Sequence, residues 1–141
     1  MEAAIDEWPR PYDQLDARPY WAALNEDRLT YQRCGWCGQS VWPAKSRCPY
    51  CASGELDWTE SSGRGTVYSY STVMRGATPR WASIAPYVVG FVEMDEGYLL
   101  FTQFSVAEEE LSIGDAVEVD YIQRGAQRLP VFAPATVKRE V

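Results

Sequence analysis

A mostly β chain is predicted, with a short N-terminal helix, a compact cysteine-built module and then a five-stranded antiparallel barrel; three observations carry that prediction. All four cysteines fall between positions 34 and 51, as Cys34-x-x-Cys37 and Cys48-x-x-Cys51. From Gly65 onward the hydrophobic period becomes two, the repeat of a strand with one buried face. The five apolar stretches from there on are separated by turn signals, with one helical turn between the third and the fourth.

A chain of 141 residues with 46% hydrophobic and 13% aromatic residues can bury one core and has no need of a second. Twenty acidic residues against thirteen basic ones give a formal net charge of -7, which repels a phosphate backbone and disfavours nucleic acid as a partner. There is no histidine, so a Ser-His-Asp triad, a Cys-His pair and histidine metal ligands are all excluded from this chain. No apolar run approaches the roughly 18 to 20 residues of a membrane span, and the first residues are acidic and interrupted by Pro9 and Pro11 rather than signal-like. A cytoplasmic address with no membrane partner is the expectation.

The elements follow in order. Residues 1–29 read as an irregular arm, fit to wrap on a neighbour or on the domain itself, and a short helix. Asp16 is its expected N-cap, Pro19 fits its first turn, and Tyr20, Trp21 and Leu24 supply an apolar face. Residues 30–62 form the cysteine module, which ends in the Ser61-Ser62-Gly63-Arg64-Gly65 hinge. Residues 63–141 hold the strands: Gly65 to Met74, Tyr87 to Met94, Tyr98 to Phe104, Ala116 to Tyr121 and Val131 to Val137, with Asp95-Glu96-Gly97 as a hairpin turn. A helical turn at Ala107 to Leu111 between the third and fourth strands suits a small barrel of OB type, with a sandwich left open.

Two Cys-x-x-Cys knuckles supply four thiolates at tetrahedral corners, the donor set zinc takes in structural sites. With every position filled by protein there is no open position for a water, so Zn2+ held by Cys34, Cys37, Cys48 and Cys51 is expected to be structural, replacing the core that a module of this size cannot build. Disulfides and a rubredoxin-like iron centre for electron transfer are the rival uses of the same spacing. More than half of the aromatic area of Trp36, Trp42, Tyr50 and Trp58 is expected to cover the metal, with the remainder open to a partner.

The order Cys34-Gly35-Trp36-Cys37-Gly38, Trp42-Pro43, Cys48-Pro49-Tyr50-Cys51 and Gly65-Thr66-Val67-Tyr68-Ser69-Tyr70 resembles the DUF35 family of zinc-ribbon plus OB-fold proteins. The likeness continues through Pro86 to Glu93, Asp95-Glu96-Gly97, Ile113-Gly114-Asp115 and Leu129-Pro130-Val131-Phe132, and so covers about residues 16 to 137. It implies a non-catalytic accessory subunit of a thiolase-fold enzyme: a thiolase, a thiolase-like aldolase of lipid or steroid metabolism, or a C-acyltransferase. It also implies a hetero-oligomer, two plus two, with acyl-CoA as substrate of the complex. A stand-alone acyl-CoA-binding module is the alternative, and single-stranded nucleic-acid binding and rubredoxin-like electron transfer are the remote ones.

Two sets of side chains are candidate contacts for that partner or for coenzyme A. One is Arg75, Arg80 and Trp81 in a connection too long for a tight turn. The other is Arg33, Lys45 and Arg47, within a stretch from Arg28 to Gly54 in which every formal charge is positive. The alternative for each is an ordinary exposed surface. Glu108 to Glu110 reads as solvated charge, and no catalytic residue is assigned.

Overall fold

The computed structural model describes residues 15–76 and 78–135. The expected arm before Leu15 and the tail beyond Ala135, including Val137, lie outside them. No helix among the described residues is long and apolar enough to cross a membrane.

Helix α1 spans Arg18–Leu24 behind a 3-10 turn, Leu15–Ala17. Asp16 sits in that turn and is not the N-cap: Ala17 takes the cap position with no side-chain bond. Pro19 in the first turn already removes one of the amides a cap would satisfy. Tyr20, Ala23 and Leu24 face inward.

Three short strands follow, β1 (Thr30–Cys34), β2 (Ser40–Val41) and β3 (Leu56–Glu60), in the antiparallel order β2-β1-β3. The barrel is built from β4 (Arg64–Val73), β5 (Tyr87–Met94), β6 (Leu99–Phe104), β7 (Ala116–Arg124) and β8 (Gln127–Pro134). A six-residue helix α2, Pro79–Ile84, lies in the β4–β5 connection, with the Thr78 hydroxyl accepting from the Trp81 N–H at its start. The 3-10 turn Glu108–Glu110 separates β6 from β7.

The strands close in the order β4-β5-β6-β8-β7, which settles the choice between barrel and sandwich. Four ladders are antiparallel, and β6 and β8 pair in parallel at Gln103–Val131 and Phe104–Phe132. The final strand begins at Gln127, four residues before the alternation signals it, because Gln127, Arg128 and Leu129 pair directly with Arg124, Gln123 and Ile122 across a tight hairpin. Long β4 bends to serve two neighbours through a register shift between Val67 and Ser69. Opposite that bend the chain needs Gly90, since a Cβ there would lie 2.0 Å from the Ser69 carbonyl oxygen.

One apolar cluster fills the barrel and continues out of it. Val67, Val88, Val92, Met94, Leu100, Phe104, Val117 and Phe132 form its inside, and Tyr20 and Leu24 of α1 with Leu29 and Tyr31 extend it under the three-stranded sheet. The seam between the sheets is aromatic: Tyr31 stacks on Tyr98 at 5.2 Å, and Trp42 packs against Tyr98 at 5.8 Å and Tyr20 at 4.6 Å between ring centroids. Glu96, at the β5–β6 turn, clasps the same seam. Its carboxylate accepts from the Ser61 hydroxyl at 2.9 Å and the Ser62 N–H at 2.7 Å, and its carbonyl accepts from the Ser40 hydroxyl at 2.9 Å.

Candidate metal centre and apolar groove

The two knuckles are built alike. In the first, Gly38 at φ 79° donates its N–H to the Cys34 carbonyl at 2.9 Å while the Cys34 N–H reaches Gln39 O at 2.9 Å. In the second, Ala52 at φ 68° donates to the Cys48 carbonyl at 2.8 Å while the Cys48 N–H reaches Ser53 O at 2.8 Å. The tight turn that glycine makes easy is thus made once by glycine and once by alanine. Amides point at sulfur in both: Trp36 N–H and Cys37 N–H at 3.4 Å from Cys34 Sγ, Tyr50 N–H at 3.4 Å from Cys48 Sγ.

All four Sγ atoms lie within 4.8 Å of one another, with Cys34–Cys51 at 3.5 Å and Cys37–Cys48 at 3.6 Å. Sulfurs about 2.3 Å from a tetrahedral zinc stand about 3.8 Å apart, whereas a disulfide needs about 2.05 Å. The donor set therefore fits a tetrahedral dication and is not a pair of disulfides. Charge agrees with geometry. The Cys37 N–H, opposed by desolvation, brings the Cys34 thiol down to about 6. Cys51 is pushed up to about 12 against the pull of the Ser53 amide, by desolvation and its crowding sulfurs. Thiols packed this closely resist becoming thiolates together until a cation shares their charge.

The aromatic residues do not cover this centre. Trp36 is 75% and Tyr50 66% exposed, and Trp42 and Trp58 pack against the barrel cluster instead. Around the sulfurs the packing comes from Val41 and Leu56. Position inside a knuckle fixes a backbone turn and says nothing about which way the intervening ring points.

The two sets of candidate contacts sit on separate elements. Arg33 donates to Gly38 O at 2.8 Å and Tyr31 Oη at 2.6 Å, and Arg47 donates to Ala52 O at 3.0 Å, so both brace their own knuckle loops. Lys45 lends its backbone to Gln32, which bonds its N–H and C=O at 2.8 and 3.0 Å, and leaves its side chain exposed. Arg75 and Arg80 are exposed on the β4–β5 connection, and Trp81 folds onto the barrel, 5.3 Å from the Tyr87 ring centroid and with the Arg124 guanidinium 6.0 Å from its own.

Trp81 also lines a feature the sequence does not announce, a groove of about 530 Å³ between α1, α2 and the outer wall of the barrel. Tyr20 and Trp21 of α1, Trp81 of α2, and Tyr87, Val89 and Phe101 of the barrel strands line it. None of its lining residues is charged. Beside it, Phe91 and Phe101 pair at 5.2 Å on the outside of β5 and β6, with Phe101 59% exposed. The run Tyr87-Val88-Val89-Gly90-Phe91-Val92 is apolar on both faces, the pattern of a strand covered on both sides, and that was the one signal of this surface in the sequence.

A rubredoxin-like zinc ribbon leading into a closed five-stranded barrel of OB order is the class this fold and donor set define. Family models agree: residues 21–57 match the ChsH2 rubredoxin-like zinc ribbon domain and residues 58–121 the ChsH2 C-terminal OB-fold domain. The chain belongs to the DUF35 family. It is 38% identical over 93 residues, 64% of its length and 69% of the other's, to a DUF35 domain-containing scaffold protein of Methanothermobacter thermautotrophicus. It is 36% identical over 134 residues, 94% of its length, to a probable enoyl-CoA hydratase alpha subunit of Thermomonospora curvata, and spans 41% of that protein. With the benzoylsuccinyl-CoA thiolase subunit BbsA of Thauera aromatica it shares 32% identity over 87 residues, 62% of this chain and 58% of BbsA. Among solved structures, an Ltp2-ChsH2(DUF35) aldolase chain superposes with a TM-score of 0.82 at 35% identity, over 89% of this chain and 99% of that one.

Proposed function

We propose that this chain is a non-catalytic subunit that assembles with a thiolase-fold enzyme acting on acyl-CoA. The observation that carries the reading is the likeness, over 89% of this chain and 99% of the other, to a chain of an Ltp2-ChsH2(DUF35) aldolase. The chemistry of the chain supports it. Its four cysteines are gathered in the metal centre and it has no histidine, so it carries no thiol or imidazole for acyl transfer of its own. Its zinc, bound by the four thiolates, supplies structure rather than a Lewis acid.

Within this reading the ribbon comprises residues 30–62 and the barrel 63–141, and the assembly is a hetero-oligomer, two plus two. The proposed contacts for the partner or for coenzyme A are Arg75, Arg80 and Trp81 on the barrel, with Lys45 ahead of Arg33 and Arg47 on the ribbon. The two ribbon arginines already spend donors on carbonyls.

Affinity purification of the tagged chain from its native host, with mass spectrometry of what accompanies it, tests the proposal. A thiolase-fold protein in stoichiometric amount is the expected result. Recovery of the chain alone at low salt, followed by tight binding of acyl-CoA in calorimetry, would replace this reading with a stand-alone acyl-CoA-binding module.

A further inference from the structure

We propose that the four-cysteine centre is an oxidative modification site, which hydroperoxide converts into two disulfides that cross between the knuckles, Cys37–Cys48 and Cys34–Cys51, with release of the ion. The sulfurs are unequally open: Cys37 is exposed and Cys51 half-buried, whereas Cys34 and Cys48 are 1% and 2% exposed. Two sulfur pairs stand at 3.6 and 3.5 Å, Cys37 with Cys48 and Cys51 with Cys34, and each joins one open sulfur to one buried sulfur of the other knuckle. Nothing bulky guards Cys37. Trp36 turns out to solvent, and a Cβ at Gly38 would meet nothing within 4 Å. A guanidinium is fixed beside each knuckle, Arg33 on Gly38 O at 2.8 Å and Arg47 on Ala52 O at 3.0 Å. Open thiolates in electropositive surroundings are the ones that oxidants reach first.

The chemistry closes with hydrogen peroxide as the oxidant. The Cys37 thiolate attacks one peroxide oxygen, the O–O bond breaks, hydroxide leaves and Cys37 becomes a sulfenic acid. The Cys48 thiolate attacks that sulfur, the S–O bond breaks and a second hydroxide leaves with the Cys37–Cys48 bond formed. Cys51 and Cys34 repeat both steps with a second peroxide. Four thiolates and two peroxides thus give two disulfides and four hydroxides, the sulfurs being oxidised and the peroxide oxygens reduced. Each pair closes from 3.6 or 3.5 Å to a disulfide length of about 2.05 Å, a small movement. The bridges join residues 11 and 17 positions apart, so they tie the knuckles to each other as the ion does.

Titrating the zinc-loaded full chain with hydrogen peroxide tests this, with zinc release read by a chromophoric chelator and bridges mapped by mass spectrometry of a non-reducing digest. Chymotrypsin cuts after Trp36 and Tyr50, separating the two cysteines of each knuckle, so every pairing gives its own pair of linked peptides. Complete zinc loss is expected, with Cys37–Cys48 the first bridge at limiting peroxide, Cys34–Cys51 the second, and zinc binding recovered after dithiothreitol and fresh zinc. Amide protection over β1 to β3 is expected to persist in the oxidised chain. Bridges within a knuckle, Cys34–Cys37 or Cys48–Cys51, would overturn the proposal, and so would sulfinic acid at Cys37 without a bridge. Zinc retained under peroxide that fully oxidises a free-thiol peptide would overturn it equally, as would an oxidised ribbon whose amides exchange at unprotected rates.

Discussion

The three-stranded ribbon buries only Cys34, Val41 and Cys48 around its own centre, whereas the barrel encloses a cluster from Val67 to Phe132 that also absorbs Tyr20, Leu24 and Tyr31. Thiolates and metal do in the first what packed hydrocarbon does in the second. The boundary between them is neither: it is an aromatic seam of Tyr20, Tyr31, Trp42 and Tyr98, locked by one carboxylate. A ribbon with so small a core depends on its ion, and its outer end is free to present Trp36 and Tyr50 to solvent.

Removing the metal breaks the comparison most sharply. Structural zinc contributes on the order of 10 kcal/mol to small modules of this kind, so chelation or Cys34→Ser is expected to abolish amide protection over β1 to β3 while the barrel ladders stay protected. Exchange with and without chelator reads this, and equal loss in both regions would mean that ribbon and barrel fold as one unit. Phe132→Ala acts on the other side. Phe132 is fully buried, and such truncations cost about 3 to 5 kcal/mol, so denaturant unfolding of the barrel should shift by that amount with zinc affinity unchanged.

The seam answers to alkali. Burial holds the Tyr20 and Tyr98 phenols well above their ordinary value near 10. A raised pKa in the folded state leaves this contribution constant below about pH 10, where both states hold the proton. Above that the unfolded state loses it first, and stability falls by about 1.4 kcal/mol per pH unit for each phenol. Unfolding curves from pH 8 to 11 should show the fall for the wild type and a shallower one for Tyr98→Phe.

Glu96→Ala removes the clasp and is expected to cost about 1 to 3 kcal/mol, read as faster exchange at residues 61–63 with zinc content intact. The smallest effect sharpens the likeness of the two knuckles. Ala52 adopts a left-handed conformation that L-residues take at a cost of about 1 to 2 kcal/mol, and Gly38 fills the corresponding place in the first knuckle. Ala52→Gly should therefore tighten zinc binding slightly in chelator competition, by less than about tenfold, since glycine also loses more freedom on folding.

How far the sequence reaches depends on how local each feature is. The metal ligands are legible because knuckle spacing fixes their geometry within a few residues. The first three barrel strands and the turn at Gly97 are legible from period two and turn chemistry. The parallel β6–β8 closure and the Glu96 clasp are not, because their partners stand 28 to 56 residues apart and no short pattern records them. Trp42 reads as a metal cover and is a seam residue, since an aromatic next to cysteines has the same pattern in either role. The groove needs two helices and a barrel wall brought together, and only the doubly apolar strand β5 hints at it.

The most direct measurement is acyl-CoA turnover by the proposed thiolase-fold partner, purified and assayed alone and with this chain titrated in. The account predicts that activity or stability of the partner rises to a plateau at a fixed ratio of chains, and that the chain alone turns over nothing. Turnover by the chain alone, or a partner indifferent to its presence in both activity and stability, would contradict it.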